Sequence, residues 1–260
     1  MAPDEDEELA DVLARHGFVA AGEEAAELRR AADGDDDALG ALVRRRLTGE
    51  PLAWIVGSAP FCGLSVAVDP GLYVPRWQSE PLARRAAARL GPGGAAVDVG
   101  TGTGAVALAL AAACPGARVV GTDVDERAVA CARSNGVEAY AGDLLDPVPA
   151  ELRGALDVIV GVVPYVPTGA LALLPSDTLV FESPLAYDGG PDGTDVLRRV
   201  VAAAPGVLRP GGALVLEVGA DQAALLAPLL AGSGFAAVSV HRDEDGDERA
   251  VEATWVGPPR

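Results

Sequence analysis

One run constrains this chain more than any other: Val97-Asp98-Val99-Gly100-Thr101-Gly102-Thr103-Gly104. Residues 95–99 are apolar around a single acid and read as a buried strand. Residues 105–113 are alanine, valine and leucine and read as a helix. Glycines between a strand and a helix let the backbone take positive φ and approach a ligand closely, beside helix N–H groups that have no partner within the helix. Many glycine turns are only turns, so the run has to be judged by its surroundings.

Those surroundings alternate strand and helix, which predicts a parallel sheet. A strand is expected at 118–122, a helix at 126–134, and strands at 137–140 and 156–162. A helix follows over 196–208, closed by Arg209-Pro210-Gly211-Gly212, then a strand at 213–218 and a helix at 222–230. Strands at 236–241 and 250–255 flank the acidic turn 243–247 and read as an antiparallel hairpin at the sheet edge. The second strand runs into Asp123 and Val124, about 20 residues past the glycines, where an acid can take both hydroxyls of a ribose. The third runs into Gly142-Asp143-Leu144, where a carboxylate can accept an adenine amino group.

Upstream, Leu9, Val12, Leu13 and His16 recur at helical spacing, as do Ala38, Leu39, Leu42, Val43 and Leu47, around an acidic loop at 33–37. The expected organisation is a helical N-terminal domain at 1–58 and a connector at 59–90. The connector holds short extended pieces at 60–64, 66–68 and 72–74 and a helix at 80–90. A ligand-binding α/β domain at 91–260 completes the chain.

Composition narrows the function. The formal net charge is −18 and every basic residue is arginine. Such a chain repels phosphate backbones, so direct nucleic-acid binding is not expected. No apolar run reaches membrane-spanning length, and the acidic opening stretch lacks the pattern of a signal peptide, so a cytoplasmic protein is expected. Cys62, Cys114 and Cys131 are widely spaced and form no metal-binding pattern with His16 or His241, so no metal is expected.

The glycine run reads DxGxGxG and resembles motif I of class I S-adenosylmethionine (SAM)-dependent methyltransferases. The resemblance implies a Rossmann-like class I methyltransferase sheet with SAM bound by Asp98, Gly100, Thr101, Gly102, Gly104, Asp123, Val124, Asp143 and Leu144, and S-adenosylhomocysteine as product. Asp98 would lie near the methionine amino group. Further stretches resemble one branch, the release-factor glutamine N(5)-methyltransferases. These are Arg46 to Leu52 with Ile55, Gly57, Phe61 and Gly63, then Pro75-Arg76-Trp77-Gln78-Ser79-Glu80. They continue with Val162-Val163-Pro164-Tyr165, Glu182-Ser183-Pro184-Leu185-Ala186, Asp188-Gly189-Gly190 with Asp192, Gly193 and Asp195, and Glu217-Val218-Gly219 with Gln222. The resemblance runs from about residue 40 to the C-terminus.

That family methylates the side-chain amide of a glutamine in release factors. Its NPPY asparagine and a neighbouring backbone carbonyl hold the amide –NH2. Here Val162 and Val163 replace the asparagine and the first proline, and the chain's single asparagine, Asn135, lies elsewhere. The resemblance implies catalytic positions at Val162, Val163, Pro164 and Tyr165, and substrate contacts at Arg76, Trp77, Glu182 and Pro184. Tyr165 can stack over a planar acceptor or plug the strand end. Trp77 can stack on a ring or cover an interdomain seam, and Glu182 can line the pocket or pair with Arg76. Three functions remain open: amide methylation of a release factor, SAM chemistry on a small-molecule acceptor (including a reaction other than methyl transfer), and SAM binding without catalysis. The protein is expected to act as a monomer or homodimer.

Overall fold

The computed structural model describes residues 5–174 and 178–257. Four helices open it: α1 (Glu5–Arg15), α2 (Ala21–Ala32), α3 (Asp36–Leu47) and α4 (Leu52–Val56). They close around Leu13, Ala25, Leu28 and Ile55. The acidic stretch before α3 is partly a helix start, because Asp35 Oδ1 accepts the N–H groups of Asp37 and Ala38 at 2.9 and 3.0 Å. Arg46 reaches inward from α3, donates to Glu24 Oε2 at 2.6 Å and to the Glu50 carbonyl at 3.0 Å, and lies over the Phe18 ring.

The hairpin β1 (Ser58–Phe61) and β2 (Leu64–Ala67) follows, then a loop, a short 3-10 turn and α5 (Glu80–Arg89). The extended piece expected at 72–74 forms no strand. It is a loop whose Leu72 and Val74 are buried.

The alternating half contains β3 (Ala95–Val99), α6 (Ala105–Ala113), β4 (Arg118–Asp123), α7 (Glu126–Ser134), β5 (Glu138–Ala141) and β6 (Leu156–Gly161). It continues with a short helix α8 (Thr178–Phe181), α9 (Asp195–Ala203), β7 (Leu208–Glu217), α10 (Gln222–Gly232), β8 (Phe235–Arg242) and β9 (Glu248–Trp255). The sheet order is β5-β4-β3-β6-β7-β9-β8. The first five strands in that order are parallel, whereas β9 is antiparallel to both its neighbours. This is the Rossmann-like sheet with a C-terminal antiparallel hairpin.

Helices cover both faces, which is why the central strands read as near-continuous apolar runs. One face packs Val97, Ile159, Leu214 and Leu216 against Leu197 and Val201 of α9 and Leu226 and Leu230 of α10. The other packs Ala96, Val158, Val160 and Val215 against Leu82 and Ala86 of α5 and Val106 and Leu110 of α6. Phe61 and Val66 join this second core, so the hairpin and α5 pack on the sheet.

The helix expected to run to 208 stops at Ala203, and a 3-10 turn at Ala204–Gly206 leads into β7. Arg209-Pro210-Gly211-Gly212 is a bulge, since pairing jumps from Leu156↔Leu208 to Val158↔Ala213. Pairing with β9 begins at Ala213, so Pro210 removes no ladder bond on that side.

The strand order reverses between β3 and β6. Open α/β sheets bind ligands outside the carboxyl ends of the strands at such a point. The glycine run leaves β3 there, and Val162–Tyr165 leave β6 beside it. No helix among the described residues is long and apolar enough to cross a membrane.

Candidate active site

Gly100, Gly102 and Gly104 have φ of 68°, 54° and 87°. A Cβ on Gly100 would lie 3.3 Å from both the Val162 carbonyl oxygen and Val163 Cγ1, so this loop touches the turn after β6. A Cβ on Gly102 would meet nothing within 4 Å. The loop is therefore tight against protein at Gly100 and open at Gly102, as a cradle for a nucleotide must be.

Beneath the loop, Asp98 is 1% exposed. Its Oδ2 accepts the Thr101 hydroxyl at 2.7 Å and the Ala107 N–H at 3.1 Å. Burial pushes its carboxyl up to about 7, against those two hydrogen bonds. These contacts brace the loop from within.

Asn135 is a residue whose importance the sequence reading missed. It caps α7, its Oδ1 accepts the Ala67 N–H, and its Nδ2 donates to the carbonyls of Ala67 and Thr103, each at 2.9 Å. It ties the hairpin to the glycine loop. A lone asparagine at a helix C-terminus was the available signal.

Asp123 ends β4 with Oδ2 accepting the Gly102 N–H at 2.8 Å and Oδ1 accepting the Asp125 N–H at 2.9 Å. Each oxygen keeps a lone pair for a ribose hydroxyl. Burial raises its carboxyl above the usual range. Val124 beside it is 79% exposed and offers a flat apolar surface. Asp143 lies at the rim, paired with Arg199, and Leu144 follows at φ 46°. The cradle, Asp123 and Val124 fit an adenosine; an adenine amino group would share Asp143 with Arg199.

The turn after β6 splits its side chains between the two cores. Val162 packs on the α5 face and Val163 is buried on the other. Among the described residues, no donor reaches the Val163 carbonyl. The Tyr165 hydroxyl donates to Glu217 Oε1 at 2.9 Å. The Tyr165 carbonyl accepts from Gln222 Nε2 at 2.7 Å, and Gln222 Oε1 accepts the Gly219 N–H at 2.8 Å.

The segment carrying Glu182 and the paired glycines braces this turn. Gly189 donates to the Val166 carbonyl at 2.8 Å, and Val166 donates to the Tyr187 carbonyl at 2.9 Å. Glu182 is buried, accepts from Arg76 Nη2 at 2.7 Å and from the Tyr187 hydroxyl, and so takes the pairing role of its two readings. Burial holds its carboxyl above the usual range, against the Arg76 charge.

Pro184 sits at the surface, where its carbonyl accepts the Tyr187 and Asp188 N–H groups at 3.0 Å. Trp77 is 72% exposed, which corrects the reading of it as seam cover: Arg76 turns inward and Trp77 turns out to solvent. Glu217, at the end of β7, is 6% exposed; its Oε2 makes no hydrogen bond of good geometry, and the buried Ser79 hydroxyl lies beside the carboxylate. Among the described residues no cluster of His, Cys, Asp and Glu is arranged to hold a metal.

Comparison with known proteins bears on the family and the fold. A family model described as a methyltransferase domain matches residues 96–172. A release factor glutamine methyltransferase of Geobacter sulfurreducens is 36% identical over 81% of this chain and 75% of its own length. The corresponding protein of Bordetella pertussis is 39% identical over 80% and 79%. A 4-amino-L-phenylalanine/4-methylamino-L-phenylalanine methyltransferase of Streptomyces pristinaespiralis is 36% identical over 84% and 78%. Among solved structures, the Mtq2–Trm112 complex of E. cuniculi, described as responsible for methylation of the eRF1 termination factor, is 26% identical over 70% of this chain and 97% of that one, with a TM-score of 0.50. This chain is a SAM-dependent methyltransferase and belongs to the release factor glutamine methyltransferase family.

Proposed function

We propose that this protein N-methylates the side-chain amide of a glutamine in a peptide chain release factor. The observation that carries the reading is the contact of the glycine loop with the Val162–Tyr165 turn, within a chain 36–39% identical to enzymes of that name. SAM supplies an electrophilic methyl group, so the protein's work is to hold the acceptor nitrogen in line with it and to keep water out. Gly100, Gly102 and Gly104 cradle the nucleotide, Asp123 takes the ribose, and Val124 with Leu144 flanks the base. The Val163 carbonyl accepts one N–H of the acceptor, and the Tyr165 ring, held by Glu217 and Gln222, covers its planar face. The acceptor pocket includes the Arg76 side of the Arg76–Glu182 pair, with Trp77 and Pro184 on the approach. The enzyme acts in the cytoplasm as a monomer or homodimer and makes no direct use of nucleic acid.

A second reading has its own support. Val162 offers no lone pair, so an amide loses one hydrogen-bond acceptor at a cost of roughly 1–3 kcal/mol. An aromatic amine is a weaker N–H donor and a better nucleophile than an amide, so it depends less on that acceptor, and one relative is named for 4-amino-L-phenylalanine. Incubation with methyl-labelled SAM and either release factor or 4-amino-L-phenylalanine separates the two. Label on the release-factor glutamine supports the first; label on the amino acid alone overturns it.

A further inference from the structure

Glu217 and Val162 stand side by side. The last paired positions of β6 and β7 are Gly161 and Leu216, so Val162 and Glu217 are the next level residues of two parallel neighbours. Side chains alternate along a strand. Val158, Val160, Ala213 and Val215 share the α5 face, and Val162 packs against them, which puts Val162 and Glu217 on that same face at the carboxyl edge of the sheet. Glu217 Oε1 is held by Tyr165 at 2.9 Å, whereas Oε2 is buried and makes no hydrogen bond of good geometry, although the buried Ser79 hydroxyl lies beside the carboxylate. A buried carboxylate oxygen without a well-aligned donor is costly, and a native fold that keeps one calls for a donor from outside the chain, a water or a ligand.

We infer that Glu217 Oε2 is the acceptor-binding atom that takes the place of the absent asparagine, receiving an N–H of the nitrogen that is methylated. With the Val163 carbonyl it forms a two-point clamp, one point from each neighbouring strand. The clamp favours acceptors bearing an –NH2 group with two N–H bonds to give. An asparagine at 162 would donate its own amide to Oε2; valine offers no donor there. The inference rests on the proposed N-methylation, and its test separates the two.

The test uses the full chain with Val162→Asn, Glu217→Met, the double variant and Tyr165→Phe. Melting is measured first, with no acceptor present. Val162→Asn satisfies Oε2 and raises the Tm by about 2–4 °C, whereas in the Glu217→Met background the same substitution buries an unpaired amide and lowers it. Equal shifts in both backgrounds overturn the inference, whatever the acceptor.

Label transfer comes second, on release factor and on 4-amino-L-phenylalanine. Glu217→Met also unties Tyr165, so Tyr165→Phe, which removes the same hydrogen bond from the other side, is the reference for that loss. Glu217→Met should fall on the order of tenfold further in kcat/KM for the acceptor, with the Kd for SAM unchanged. Equal activity in the two variants overturns the inference. If the unmodified protein labels neither acceptor, the proposed function fails, and the melting comparison still decides where Oε2 points.

Discussion

The Tyr165 hydroxyl donates to Glu217 Oε1 at 2.9 Å and so fastens the turn after β6 to the last residue of β7. The other oxygen of Glu217 is buried with no hydrogen bond of good geometry. Tyr165→Phe would leave the carboxylate only the Ser79 hydroxyl beside it. A cost of about 1–3 kcal/mol follows, together with a lower turnover as the ring loosens. Thermal melts, SAM titration and label transfer check this. A SAM affinity that falls as far as turnover would place Tyr165 in cofactor binding instead.

Gln222 makes a second fastening, and its two amide ends do different work. Nε2 holds the Tyr165 carbonyl at 2.7 Å, and Oε1 takes the Gly219 N–H at 2.8 Å. Gln222→Glu replaces the donor by an oxygen facing a carbonyl, while Oε1 can still serve Gly219. The variant should lose about 1–3 kcal/mol in denaturant unfolding and lose acceptor turnover before SAM binding. Wild-type turnover with the expected loss of stability would show that the carbonyl clamp only supports the fold.

Gly193 has φ 75°, and a Cβ there would strike the Tyr165 carbonyl oxygen. Gly193→Ala therefore combines backbone strain with displacement of the turn after β6. A loss of at least about 2 kcal/mol is expected. Urea melts read the stability, and residual activity at low temperature reads the turn. Stability within about 0.5 kcal/mol of wild type would mean that the segment carrying Gly193 moves freely against the turn.

The parts of this molecule that a sequence exposes are those set by local pattern. The glycine run, the carboxylate that ends β4 and the antiparallel C-terminal hairpin all follow from periodicity and turn chemistry. What stayed hidden depends on strand register and long-range packing. Asn135 looked idle because its partners, Ala67 and Thr103, are 68 and 32 residues away. Glu182 stood undecided between pocket and pairing until Arg76, 106 residues away, met it in space. The orphaned oxygen of Glu217 comes from its neighbour across the sheet, and no local pattern reports which residue that is. Asp98 was expected near the cofactor because its motif implies it; that Thr101 and Ala107 also engage its Oδ2 from inside the loop is a bracing role the motif does not report.

Asp98 gives the protein a pH dependence opposite to that of a salt-bridged carboxylate. Its folded value of about 7 lies above the roughly 4 of an unfolded aspartate, because burial disfavours the charged form. The folded chain therefore holds this proton more tightly than the unfolded one between those values. Stability from this group is complete below about pH 4, falls as the pH rises toward 7, and is flat above that. The full loss is up to about 4 kcal/mol. Glu182 and Glu217, also raised by burial, act in the same direction. Asp98→Asn keeps an oxygen for Thr101 and Ala107 and cannot ionise. Urea midpoints at pH 5 and pH 8 should therefore differ less in the variant than in the wild type. An unchanged difference would mean that Asp98 stays charged in the folded protein throughout, with the Thr101 and Ala107 hydrogen bonds outweighing its burial.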